Sequence, residues 1–444
     1  MHMNSRVMHP LRRPFSWYAV GIFTCFLVFG GRGSLAQGLY YPPLTGSAWN
    51  SVTPAQLGWC PAGVDSVVNY AAQQDSKALL ILHQGRMVVE EYFGTFTSDS
   101  LWYWASAGKS LTAGLVGQAV TAGEINPSLP SSTYLGTGWS SLTAQQEAAI
   151  QVWDHLKMTT GLSDVVPNPD CILPSCLQYL APAGTRWAYH NAPYTLLDSI
   201  LINATGQNLN GLVQNRIRAQ TGIQGFFYPF GDNNVFVSKP RSMARYGVLI
   251  QGHGRWNGSA VLDSSWVHAM ISPSQNINPA YGLLWWLNGQ SAHRLPQSQF
   301  LFPGPLLPNA PSDAVAALGR DGQILFVVPS LDLVVVRMGK SPASVPVPWL
   351  LADELWKRLN RMLCLTQSEG TGSLGKSLEV VYTSEGSYVE LDAGQRLWGT
   401  DALGRTVFNL QADPAGRVHL PGNLPAGWWV LRADDGRTER WTTW

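Results

Sequence analysis

Trp104-Ala105-Ser106-Ala107-Gly108-Lys109-Ser110 places a serine and a lysine three residues apart within this 444-residue chain. It opens a run in which Leu111, Leu115, Val116 and Val120 recur at helical spacing, so a helix begins near Ser106. Ser106 and Lys109 lie three residues apart and therefore share one helical face, where the amine can approach the hydroxyl. Burial and a neighbouring donor lower a lysine pKa, and the neutral amine can then take the proton as serine attacks. The helix N-terminus beside Ser106 favours the negative charge that develops in such an attack. Alone, the pattern also fits a helix cap with an exposed lysine. Ser373-Leu374-Gly375-Lys376 repeats it in a Gly/Ser-rich stretch, where it carries no chemistry.

Upstream, a helical pattern runs from Val64 to Gln74. Ala78–Leu82 and Met87–Tyr92 flank Gln84-Gly85-Arg86 and read as a hairpin. From about 140 to 265 the chain mixes helices with Pro/Gly-rich loops. Strand patterns return at Tyr281–Leu287, Ile324–Val328 and Leu333–Arg337, before a helix over Pro348–Leu363. Strands at both ends with helices between predict one sheet built from both termini around a helical insertion.

Two further segments give Ser106 company. Pro182-Ala183-Gly184-Thr185-Arg186-Trp187 leads into Tyr189-His190-Asn191, 83 residues after Ser106. Ala316-Ala317-Leu318-Gly319-Arg320-Asp321-Gly322-Gln323 leads into an apolar strand. With His155–Leu162 and Ser242–Gly247, this ordered set resembles the class C β-lactamase and penicillin-binding-protein-like serine hydrolases, which include esterases, D-amino-acid peptidases and 6-aminohexanoate-oligomer hydrolases. The resemblance covers roughly residues 55 to 363. It implies an α+β fold, an antiparallel sheet flanked by helices plus a helical region.

The resemblance also implies roles. Ser106 is the nucleophile, Lys109 its base partner, and Tyr189 shares proton transfer and protonates the leaving group. Asn191 positions the acyl side of the substrate. The backbone N–H groups of Ser106 and Arg320, the latter just after Gly319, are the expected oxyanion hole. His190 is expected to pack away from the pocket. The chain departs from its relatives at the third motif, where β-lactamases carry Lys-Thr-Gly and many esterase-like members His-x-Gly. Here Ala317-Leu318-Gly319 lacks that cation, which argues against β-lactams as the main substrate, although Arg320 could restore charge from a shifted position. Trp102, Trp104, Trp187, Trp285 and Trp286 lie close to these motifs and read either as cleft walls or as core.

Composition excludes other classes. The 29 Lys and Arg against 28 Asp and Glu leave a net charge of +1, with no basic surplus for a nucleic-acid partner. Charged residues are 13% and hydrophobic residues 45%, which excludes disorder over most of the length. No Gly-x-Ser-x-Gly elbow, Cys-x-x-Cys or His-Glu-x-x-His occurs, and no metal or cofactor is expected. Ser274-Gln275-Asn276 is a weaker rival to Tyr189-x-Asn191.

Residues 1–36 read as a secretory signal: Arg6, Arg12 and Arg13, an apolar run from Trp17 to Phe29, and Ser34-Leu35-Ala36 before Gln37. Cys25 leaves with it. Cys171 and Cys176 are candidates for a short-loop disulfide, with free thiols the alternative, and a Cys60–Cys364 pairing stays open. The expected organisation is a signal over 1–36, a hydrolase domain over 37–366, a linker over 367–376 and a small all-β sandwich over 377–444. In that last segment, Leu424–Arg432 with Asp434-Asp435-Gly436, Arg437 and Arg440 is similar to type A C-terminal sorting domains of the type IX route in Bacteroidetes. An accessory β-sandwich would look alike.

The expected protein is therefore a secreted or cell-surface serine hydrolase that acts on a small-molecule amide or ester through a Ser106 acyl-enzyme, with the secretion machinery as partner of its C-terminal domain. A D-Ala-D-Ala carboxypeptidase, a β-lactamase proper and a non-catalytic binding protein on the same fold are the alternatives. The oligomeric state is not indicated.

Overall fold

The Gln84–Gly85 turn has φ angles of +48° and +75°, the two left-handed positions a two-residue hairpin loop requires. It joins β1 (Ser76–His83) to β2 (Arg86–Tyr92), the hairpin the sequence predicts. A Cβ at Gly85 would overlap the Tyr40 carbonyl, so glycine is required there by space as well as by conformation. The computed structural model describes residues 38–341, 347–364, 378, 380–383, 386–400, 406–422, 427–434 and 438–443. The segments read as a signal and as a linker, with Cys25 and the Ser373–Lys376 repeat, lie outside the described residues. So do residues 424–426 and 435–437 of the sorting-like stretch.

The remaining strands used below are β3 (Trp102–Tyr103), β4 (Gly225–Phe230), β5 (Asn233–Ser238), β6 (Trp286–Leu287), β7 (Val315–Gly319), β8 (Gln323–Val328) and β9 (Leu333–Gly339). The main helices are α1 (Pro61–Gln73), α2 (Gly108–Thr121), α3 (Asn191–Thr205), α4 (Pro240–Gln251) and α5 (Trp349–Met362). Proline in the first turn of both α1 and α4 suits a position where the backbone N–H has no helical partner.

The central sheet is antiparallel with the order β2-β1-β9-β8-β7-β6, so β1 from the start of the domain pairs directly with β9 from its end. This is the expected sheet of both termini around a helical insertion. Strands β8 and β9 are buried at every residue because helices cover both faces. Phe326 meets Trp356 of α5 with ring centroids 5.4 Å apart. Its neighbour Leu325 points the other way, with Val334, against Gly247 of α4, where a Cβ would crowd both side chains. Among the described residues no helix is long and apolar enough to cross a membrane.

Two readings of the sequence are corrected. Only Trp286–Leu287 of the predicted Tyr281–Leu287 strand joins the sheet. Leu284 has φ +60°, Gly282 N–H bonds Trp285 O, and Tyr281 pairs back with Trp286, so the segment is a tight reversal buried by its apolar side chains. In the stretch read as helices and loops, β4 and β5 form a hairpin that β3 extends to a three-stranded sheet.

The described cysteines form two disulfides, Cys171–Cys176 as expected and Cys60–Cys364. The latter joins the start of α1 to the residues after α5, where Cys60 N–H also donates to Met362 O. Toward the C-terminus, Val380–Thr383, Gly386–Glu390 and Arg417–His419 make a three-stranded sheet. Arg396–Thr400, Thr406–Gln411, Gly427–Ala433 and Thr438–Thr443 make a four-stranded one. Val389, Leu397, Val418, Trp429 and Leu431 form an apolar cluster apart from the central one, as a small all-β sandwich requires.

Candidate active site

From β3 the chain passes through Trp104 into a 3-10 turn, Ala105–Ala107, and on into α2. Trp104 is fully buried; its backbone N–H donates to Phe236 O and its indole N–H to Ser238 Oγ at 2.7 Å. Ala105 sits at φ +47°, a region a β-carbon disfavours, so the anchored tryptophan holds a strained bend immediately before Ser106. The first turn of α2 is pinned in turn, with Ser110 Oγ on Leu284 O and Tyr246 OH on Ser110 O at 2.6 Å. Ser106 thus stands on a rigid corner at the floor of a cleft of about 440 Å³.

Lys109 Nζ donates to Ser106 Oγ at 3.1 Å, as the three-residue spacing predicts. Lys109 is 4% exposed, and burial lowers its pKa to about 7. Asp170 and Asp198 pull it upward, and Arg320 pushes it further down. Its ammonium lies 4.3 Å from the Tyr194 ring centroid and 5.4 Å from that of Tyr189. Burial raises the Tyr189 pKa well above that of an ordinary phenol, opposed by a hydrogen bond with Ser106. The arrangement therefore offers a neutral phenol and, above about pH 7, a neutral amine around one hydroxyl. The amine is the group able to accept a proton, and the phenol can pass one on.

Tyr189 is held by stacking on Trp286, with centroids 5.4 Å apart, and by edge contacts with Tyr281. Trp187 and Trp285 are likewise buried in this aromatic core, and Trp102 stacks on Tyr103. None of the five tryptophans named from the sequence lines the cleft; the aromatic walls are Tyr103, Tyr194, Tyr228 and Phe230. His190 is buried outside the cleft lining, its pKa lowered to about 4 by burial. Ser274 Oγ is spent on the carbonyls of Tyr281 and Gly282, which removes the rival Ser-x-Asn.

Asn191 begins α3 and lines the cleft. Its Nδ2 donates to Asp170 Oδ1 at 2.7 Å, while its Oδ1 is buried without a hydrogen-bond partner. Gly319 ends β7 against the nucleophile corner: a Cβ there would stand 2.8 Å from Ala107 N and 3.0 Å from Ser106 N. That closeness brings the strand edge, and the Arg320 peptide that follows it, beside Ser106. The Arg320 side chain is exposed and lines the cleft, whereas Ala317 is buried in β7. A cation thus borders the site from the shifted position.

Several site residues escaped the sequence reading. Asp170 precedes the Cys171–Cys176 bridge, and Tyr103 donates to Asp321 Oδ2 at 2.6 Å across the cleft mouth. Asp198 is 3% exposed, with Oδ2 accepting from Asn234 at 2.9 Å and Oδ1 unpartnered. Burial raises its pKa to about 7, while Asn234 and Lys109 act in the opposite direction. One signal was present: Asn191, Tyr194 and Asp198 are spaced by three and four, which puts them on one face of the helix. Among the described residues no group of three His, Cys, Asp or Glu side chains could hold a metal ion.

The profile of the family described as Beta-lactamase matches residues 64–348. Among solved structures, one from Bacillus anthracis to which 6-aminohexanoate-dimer hydrolase activity is ascribed is 17% identical, at TM-score 0.55, covering 74% of this chain and 92% of its own. A Bacteroides dorei structure ascribed as a beta-lactamase is 15% identical, at TM-score 0.55, covering 69% and 99%. A penicillin-binding protein homolog from Caulobacter crescentus is 13% identical, at TM-score 0.51, covering 69% and 98%. No curated protein matches the sequence.

Proposed function

From its membership of the beta-lactamase family, to which this chain belongs, we propose that the protein is a serine hydrolase that cleaves an amide or ester through an acyl-enzyme on Ser106. The observation that carries the reading is the buried Lys109 amine 3.1 Å from Ser106 Oγ. In this reading neutral Lys109 takes the hydroxyl proton as Ser106 Oγ attacks the carbonyl carbon. The oxyanion is met by the backbone N–H groups of Ser106 and Arg320. Tyr189 relays the proton to the leaving nitrogen or oxygen as the scissile bond breaks, and water then hydrolyses the acyl-serine by the reverse relay. Asn191, locked by Asp170, faces the acyl side.

Ala317 stands where a β-lactam-recognising cation would be, and this supports simple esters or neutral amides over β-lactams. Export by the N-terminal segment, and sorting to the cell surface by the C-terminal sandwich, complete the proposal on the sequence features named above.

The test is labelling of the protein with a fluorophosphonate, alongside turnover of p-nitrophenyl esters, nitrocefin, D-Ala-D-Ala peptides and short amide oligomers. Ser106→Ala is expected to abolish labelling and turnover, and Lys109→Ala and Tyr189→Phe each to lose at least about a hundredfold in rate. Labelling of Ser106→Ala at the wild-type rate overturns the assignment. Nitrocefin as the best substrate overturns the substrate preference.

A further inference from the structure

The sheet β3-β5-β4 has two unlike faces. On one, Phe227 and Phe236 sit opposite each other across the hairpin, both buried, with ring centroids 5.1 Å apart. Side chains alternate along a strand, so the residues between them face the other way. Directly opposed pairs there are Tyr103 with Val237, Phe226 with Val237, and Tyr228 with Val235. Phe230 continues the row.

A sheet face turned away from the core is ordinarily polar. This one places Phe226, Tyr228 and Phe230 in succession at 41%, 58% and 68% exposure. Contiguous exposed aromatics of this kind mark a surface that something apolar covers. Tyr103, Val235, Val237, Tyr228 and Phe230 line the same cleft as Ser106 and Lys109. The polar groups Asp170, Asn191 and Arg320 also border it, so the cleft joins an apolar face to a polar rim. Its volume of about 440 Å³ lies in the range of small-ligand sites and leaves no room for a folded partner.

We infer that the outer face of this sheet is a substrate subsite that takes an extended apolar group, an alkyl chain or aryl ring attached to the scissile carbonyl, and sets the specificity of the enzyme. The inference rests on the serine-hydrolase reading of the same cleft. It makes Tyr228 and Phe230 specificity-determining residues, since they are the exposed aromatics of this face that line the cleft with Ser106. Each methylene buried there contributes roughly fourfold to kcat/KM.

The experiment compares p-nitrophenyl acetate, butyrate and octanoate on the full chain and on the Tyr228→Ser/Phe230→Ser variant, with melting temperature as the check of folding. The wild type is expected to prefer octanoate to acetate at least about tenfold in kcat/KM, and the variant to lose most of that ratio through KM. A wild-type ratio near one, or a variant that keeps the ratio, overturns the inference. Binding of octanoic anilide to Ser106→Ala by calorimetry reads the subsite without turnover, and the double substitution in that background is expected to weaken Kd about tenfold. If no ester is hydrolysed and Ser106 is not labelled while anilide binding depends on Tyr228 and Phe230, the hydrolase reading fails and the subsite stands. If acetate is hydrolysed with no dependence on chain length, the subsite fails alone.

Discussion

The ammonium nitrogen of Lys109 stands 4.3 Å from the centroid of the Tyr194 ring. The ring face offers a cation some compensation for lost water, yet burial prevails and the lysine pKa falls to about 7. Asp198, one helical turn beyond Tyr194, acts on the same amine from the other direction, as does Asp170 in the loop above.

The pH dependence follows in sign. With Lys109 as base, kcat/KM on a p-nitrophenyl ester should rise through an acid limb near pH 7 and level off above it. Asp198→Asn removes a group that favours the ammonium, so the limb should move to lower pH, with Asp170, Arg320, Tyr189 and Tyr194 still facing the amine. An unmoved limb would assign Asp198 to packing alone. Stability carries the same linkage. Between about 7 and the ordinary 10.5 the folded chain holds fewer protons on Lys109 than the unfolded chain, so this residue destabilises most below pH 7 and less as pH rises. Lys109→Met should accordingly raise the melting temperature more at pH 6 than at pH 10.

Gly319→Ala should damage catalysis without touching a catalytic side chain. The added methyl would overlap the Trp104 carbonyl and crowd the N–H groups of Ala107 and Ser106. Either the strand edge or the nucleophile corner must give way, at a cost of about 1–3 kcal/mol in stability. A loss in kcat of at least about tenfold, larger than any change in KM, is the expected kinetic result. Wild-type kcat in a stably folded variant would refute the close approach.

Arg337 is buried at 1% exposure and acts as a clamp on the turn after β7. Its guanidinium donates to Asp321 O at 2.9 Å, Gly322 O at 2.8 Å, Gln74 O at 2.6 Å and Ser76 Oγ at 2.9 Å, and also to Lys340 O. Replacing it by Met would strand these acceptors and should destabilise by about 3 kcal/mol or more in urea unfolding. Arg337→Lys should recover only part of the loss, because one ammonium cannot reach both sides of the fork.

The two disulfides should behave differently. Cys60–Cys364 closes a separation of 304 residues, so the Cys60→Ser/Cys364→Ser pair should lose about 3–5 kcal/mol of stability while keeping its kinetics. Cys171–Cys176 spans 5 residues and restrains far less of the unfolded chain. Removing it should instead loosen Asp170, which holds Asn191, and raise KM more than it lowers the melting temperature.

Truncation of residues 371–444 should leave catalysis intact, because every proposed catalytic group precedes the cut and the C-terminal sheets close on their own apolar cluster. The truncated protein, expressed without residues 1–36, should keep near wild-type kcat/KM. In the native host, the chain with the same C-terminal truncation but with residues 1–36 kept should stop in the periplasm. Loss of activity in vitro would make the segment part of the catalytic fold, and unchanged export would end the sorting interpretation.

What the amino-acid order determined by itself was everything written among near neighbours. Ser106 and Lys109 share a face because three residues is nearly one helical turn. The Gln84-Gly85 loop declares its hairpin, and the runs at 324–328 and 333–337 declare strands. Tertiary structure decided what depends on closure between distant segments. The Tyr281–Leu287 run is apolar enough for a strand, but it packs as a reversal with a left-handed Leu284. The β4-β5 hairpin, with Pro229 and a polar loop, looks irregular until Trp102–Tyr103 pairs with it. The partner of Cys60 lies 304 residues away, and no local pattern names it. Above all, the amine that the sequence places beside a serine has its pKa lowered to about 7 because burial desolvates it. That desolvation is a property of the folded interior, assembled from Tyr189, Tyr194 and their aromatic neighbours, and of no single stretch of chain.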